Sequence, residues 1–136
     1  MKKIKLLIVS SLLAVALFSF VACSSSPVVG EWTLVGIKSA DYVYTIDEWF
    51  SMNDPVHYKS FEITLSINKD GTCDTTTISN GVEIQDTFPS FWKFKDNTLY
   101  LLRNENENIS QAESTFIYEY AGEQLISLMY IFERKN

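Results

Sequence analysis

The chain has 136 residues, and its 17 acidic side chains outnumber 11 basic ones. Lys2, Lys3 and Lys5 supply three of those basic groups, so the stretch from residue 23 onward carries 8 basic against 17 acidic, a net −9. That balance excludes nucleic-acid binding, which needs clustered Lys and Arg to displace counterions, and an aromatic content of 14% excludes a disordered acidic tail.

The lysines open the sequence, and Leu6 to Val21 follows as an apolar run broken only by Ser10, Ser11 and Ser19. A charged start, an apolar run and a small residue before a cleavage point define a secretory signal, here residues 1–22, which is set aside from the fold. The run of 16 falls short of the about 20 apolar residues a spanning helix needs. The junction Phe20-Val21-Ala22-Cys23, followed by Ser24-Ser25-Ser26-Pro27, resembles the bacterial lipobox, with Phe20 where Leu is usual. The resemblance implies cleavage before Cys23 and transfer of a diacylglycerol, with acyl chains such as palmitate, to its thiol. Two acyl chains make a stable anchor where one is marginal. Residues 23–27 would then be the lipidated cysteine and a short tether, and the protein would sit on a membrane of the cell envelope, outside the cytoplasm. Ser24 in place of Asp implies the outer membrane where the cell has two. An ordinary secretory signal beside an unmodified Cys23 is the alternative.

Residues 28–136 are enough for one domain and too few for two. The stretch 47–58 predicts a short helix capped by Asp47, carrying Trp49, Phe50 and Met52 and stopped by Pro55, or a long loop. Such a connection either covers the end of a barrel or packs on its outer surface. Phe61 to Asn68 alternates apolar and polar residues, the period of a half-buried strand. Lys69-Asp70-Gly71 is a hairpin turn, and Thr72 to Ser79 the next strand; Asn80-Gly81 turns again into 82–88, ended by Pro89. Phe91 to Lys95 and Thr98 to Arg103 flank the turn Asp96-Asn97, and 104–111 reads as a solvated loop. Thr115 to Tyr120 and Glu123 to Arg134 are two closing strands joined around Ala121-Gly122. Short, evenly spaced strands with tight turns predict an all-β antiparallel barrel or sandwich.

Little in this stretch carries chemistry. With Cys23 lipidated, Cys73 has no disulfide partner, and as a nucleophile it would need a base, for which the sequence offers only His57. One His, one free Cys and scattered carboxylates predict no metal site and no cofactor; Asp70 and Asp74 have the spacing of a turn rather than of a calcium loop. Glu105, Glu107 and Glu113 sit in a polar loop, and Asn108-Ile109-Ser110 is a chance glycosylation match. No enzymatic activity is expected. Trp49, Phe50, Phe91, Trp92 and Tyr100 are the residues with functional potential, as the lining of a cavity for an apolar ligand. They serve equally well as core, and because aromatics occupy both faces of 91–94, the inward face stays open.

Three short motifs in order, Gly30-Glu31-Trp32, the unit Ile67 to Thr72 around Asp70-Gly71-Thr72, and Asn97-Thr98-Leu99-Tyr100-Leu101, resemble the bacterial lipocalin-like domain family of small lipoproteins. The resemblance spans nearly all of residues 28–136, in a chain shorter than a typical lipocalin and without a Thr-Asp-Tyr motif. It implies an up-and-down β-barrel with Trp32 plugging the closed end and Arg134, from the last strand, stacked on its ring. It implies a lipid-anchored envelope protein that binds a small apolar or amphipathic molecule; a non-enzymatic interaction or structural surface protein with a filled barrel is the alternative.

Overall fold

The computed structural model describes residues 26–86 and 89–136. The predicted signal, residues 1–22, and the predicted anchor Cys23 lie outside the described residues.

Strand β1 (Gly30–Ser39) is the hub of a single antiparallel sheet. One of its edges pairs first with β3 (Phe61–Ile67) and further along with β2 (Tyr42–Thr45), and the other pairs with β10 (Tyr130–Arg134). From β3 the sheet runs outward through β4 (Cys73–Ser79) to β5 (Val82–Asp86). From β10 it runs back through β9 (Gln124–Ile126), β8 (Ile117–Ala121) and β7 (Thr98–Leu102) to β6 (Phe91–Lys95). The result is an all-β, lipocalin-like fold: a strongly curled antiparallel sheet with one short helix.

The sheet closes on itself through β4. Its far half pairs with β5, while the segment before and into its first residue meets β6: Thr72 bridges Phe91, Cys73 N donates to Ser90 O (2.9 Å), and Trp92 N to Gly71 O (3.0 Å). β5 and β6 are both antiparallel to β4 and share its outer edge, so they act as successive halves of one wall strand. Counted so, the described wall is β1, β3, β4, β5–β6, β7, β8, β9 and β10, an even number that allows every neighbour to be antiparallel. The seam is narrow. β5 pairs with nothing on its other side among the described residues, and the barrel is tightly closed only near the Thr72–Phe91 bridge.

Alternation puts one face of each strand inside. Trp32, Leu65, Ile67, Leu99 and Leu125 are fully buried, joined by Leu34, Leu101, Tyr118 and Phe132. On β6 the inward face is the one bearing Trp92 and Phe94, which pack on this core, while Lys93 and Lys95 are exposed. The tight turns form at the expected residues: Asn80 (φ 50°), Asp96 (φ 51°) and Asn97 (φ 60°) take the left-handed backbone that two-residue hairpins need.

Three expectations change. The helix α1 (Ile46–Asn53) is capped by Thr45 rather than Asp47: Thr45 Oγ1 accepts from Glu48 N (3.2 Å), and Glu48 Oε2 accepts from Thr45 N (2.8 Å). Asp47 instead accepts from the Tyr58 hydroxyl (2.5 Å). The segment expected as one strand from Glu123 to Arg134 is two, β9 and β10, with a turn at Ser127. The polar stretch before β8 holds two short 3-10 turns, Ile109–Gln111 and Ser114–Phe116.

Candidate functional site

The two ends of the barrel differ. At the Trp32 end, the chain entering β1 crosses the bottom of the barrel and is held there by three hydrogen bonds to successive carbonyls. Trp32 Nε1 donates to Val28 O (2.9 Å), Arg134 Nη1 to Val29 O (3.2 Å) and Arg134 Nη2 to Pro27 O (2.6 Å). Arg134 lies opposite Trp32 in the β1–β10 register, with Cζ 4.2 Å from the centroid of the indole ring. Gly30 makes room for it, since a Cβ there would stand 3.0 Å from Nη1. The ring of Tyr120 meets Trp32 edge-on at 6.4 Å and Phe94 at 5.9 Å. With Val28 and Trp32 wholly buried, this end is packed shut.

Toward the other end the same inward faces leave a cavity of about 330 Å³, open on one side. Leu34 of β1, Ile63 and Leu65 of β3 and Thr75 of β4 line it from one direction. Leu101 of β7, Tyr118 of β8 and Tyr130 and Phe132 of β10 face them, and Pro89, Thr115 and Phe116 contribute from the connections. The volume is at the small end of ligand sites, and the lining is mainly apolar with a few hydroxyl groups. Among the described residues, no charged side chain lines it.

Tyr118 is the most deeply placed polar group in this wall, 2% exposed, with Phe132 edge-on to its ring at 5.8 Å. Burial pushes its phenol well above the ordinary value, and the nearby Tyr130 and Cys73 add to the shift. Its hydroxyl has no hydrogen-bond partner among the described residues, and the residue is part of the cavity wall.

None of the five aromatics singled out as candidate lining contributes to this cavity. Trp49 and Phe50 belong to α1, which packs beside β1, β2 and β3 rather than over the opening; Trp49 lies 5.6 Å from Tyr44 and Phe50 4.2 Å from Phe61. Trp92 points into the barrel but is held near the seam, its Nε1 donating to Asn68 O (2.8 Å). Phe91 lies on the outer side of the seam, where it lines a separate pocket with Ser90 and Gln85. Tyr100 is half-buried on the outward side of β7, between the inward Leu99 and Leu101. The lining instead joins strand aliphatics to Phe116, Tyr118, Tyr130 and Phe132, and no motif marks them.

The remaining reactive groups are quiet. Cys73 is buried, its Sγ 3.5 Å from the carbonyls of Pro89 and Phe91, and burial, with Asp74 adding to it, pushes the thiol up to about 12. His57 is exposed and pairs with Asp54 (3.0 Å). Glu113 pairs with Arg103, and Glu107 binds the Arg103 backbone N–H (2.7 Å). Among the described residues no cluster of His, Cys, Asp and Glu could hold a metal ion, and no helix is long and apolar enough to cross a membrane. Compared with protein-family models, with curated proteins and with solved structures, the chain matches none.

Proposed function

We propose that this protein is a lipid-anchored lipoprotein of the bacterial cell envelope, related to the lipocalin-like domain family, that holds a small apolar or amphipathic molecule inside its barrel. The observation that carries the binding role is the cavity between Leu34, Leu101, Tyr118 and Phe132, beside an end that is packed shut. A barrel meant only as a scaffold fills this layer with side chains, as it does around Trp32. The anchor rests on the charged start, the apolar run and the lipobox-like Val21-Ala22-Cys23. Pro27 lies at the closed end, and four residues of extended chain reach at most about 14 Å. An acylated Cys23 therefore holds the closed end near the membrane.

Native mass spectrometry of the full chain, purified gently and compared with a denatured sample, tests the binding role. A reproducible extra mass that disappears on denaturation is the expected result. A clean apo mass from its own host cells would overturn it. Anchoring is tested separately: Cys23→Ala should move the protein from the membrane fraction to the soluble one.

A second reading, a non-enzymatic interaction protein, is favoured by β5. Its outer edge is unpaired among the described residues, and Val82 and Ile84 on it are 64% and 50% exposed. Such an edge accepts an added strand from a partner.

A further inference from the structure

From the chemistry of the cavity wall we infer that the ligand is a neutral molecule, with an alkyl or ring body and a hydrogen-bonding oxygen anchored by Tyr118, and not a carboxylate or other anion. The inference rests on the binding role proposed above and names the class of molecule that role would serve.

Two features of the wall carry it. The first is the absence of charge. Thr75, Thr115, Tyr118 and Tyr130 are its only polar side chains among the described residues, and none is a cation. A carboxylate drawn into an apolar site keeps its charge only beside a cation or several donors. Of the chain's two arginines, Arg134 is committed to the opposite end, to Pro27, Val29 and the Trp32 ring, and Arg103, which follows the lining strand β7, is paired with Glu113. The chain as a whole is also negative, −6 over its full length, which repels anions on approach.

The second feature is the Tyr118 hydroxyl. It belongs to a cavity-lining residue that is 2% exposed, and it has no hydrogen-bond partner among the described residues. Buried polar groups are normally satisfied, and an unpartnered one in a cavity wall is a group awaiting a partner. Its phenol is held neutral far past physiological pH by burial, so it is always able to donate. Leu34, Leu65, Leu101 and Phe132 around it supply the apolar contact for the body of the ligand. The oxygen of an alcohol, ester, ketone or amide suits the phenol equally, and all are neutral.

The test uses two probes that share a body and differ in charge, 1-octanol and octanoate, titrated calorimetrically at pH 7.5 into the full chain and into Tyr118→Phe. The parent should bind 1-octanol at least tenfold more tightly than octanoate. Tyr118→Phe, which keeps the ring and its packing, should fold normally by circular dichroism and lose about fivefold in 1-octanol affinity. Octanoate binding as tightly as 1-octanol would overturn the neutral-ligand inference while leaving the binding role intact. Unchanged 1-octanol affinity in a folded Tyr118→Phe would overturn the anchoring role of the phenol. Failure of both probes to bind the parent would count against the cavity as a ligand site, and so against the binding role itself.

Discussion

Trp32 and Arg134 meet because β1 and β10 are paired in a register that sets them opposite each other. The indole is wholly buried and uses its N–H on Val28 O, so truncation opens a large void and frees a buried carbonyl. Trp32→Ala should cost about 3–5 kcal/mol, and a variant melting within a degree or two of the parent would sink this placement. Cys73 and Tyr118 make a second, pH-dependent prediction. Both keep their protons in the folded state above the pH at which an unfolded chain releases them, 9.0 for the thiol and 10.0 for the phenol. The folded state then binds more protons than the unfolded one, so stability is full below about pH 9 and falls as pH rises toward 12. The decline is up to about 1.4 kcal/mol per pH unit for each group. Cys73→Ala should flatten it, and urea midpoints between pH 9 and 12 measure the difference; identical slopes would mean that the thiol is not withheld from water.

Turn chemistry decided most of the elements, and where the turn residues are Gly, Asn or Asp they were visible in the sequence. Asn80 shows how much one of them can do. Beyond its left-handed backbone, its side-chain oxygen accepts from Lys59 N (2.8 Å) and Ser60 N (3.1 Å), and its amide donates to His57 O (3.1 Å), tying the segment after α1 to the β4–β5 hairpin. The β9–β10 turn was not visible, because Ser127-Leu128-Met129 contains no Gly, Pro or Asn. There a serine hydroxyl substitutes for turn backbone: Ser127 Oγ accepts from Tyr130 N (2.9 Å) and Met129 N (3.3 Å). Ser127→Ala should therefore destabilise the fold by about 1–2 kcal/mol, read from its urea midpoint, and an unchanged midpoint would show that the hairpin forms without the hydroxyl. Strand β2 escaped the sequence for another reason. Three of its four residues, Tyr42, Val43 and Thr45, are exposed, so no buried face imposes an alternation to detect.

For the whole molecule the governing fact is how the sheet closes. Sharing one edge of β4 between β5 and β6 gives an eight-membered antiparallel wall that is shut around Trp32 and looser above it, and the cavity occupies the looser half. Adding volume there should remove ligand at little cost in stability. Thr75→Phe is expected to abolish the bound mass in native spectra while its thermal midpoint stays within a few degrees of the parent; retention of the ligand would place the site elsewhere. By itself the sequence determined the all-β class and most strands and hairpins, while it left 47–58 as a short helix or a long loop and placed Trp32 in the first strand only through a family resemblance. The strands and hairpins follow from period-two patterning and turn residues, which act over a few neighbouring positions. Only the tertiary structure decided the seam, the separation of α1 from the cavity, and the choice of Leu34, Leu101, Tyr118 and Phe132 over the conspicuous aromatics as lining. A side chain's parity says that it points inward, but whether it meets a neighbour or empty space depends on strand number and stagger around the closed barrel, which no local stretch encodes.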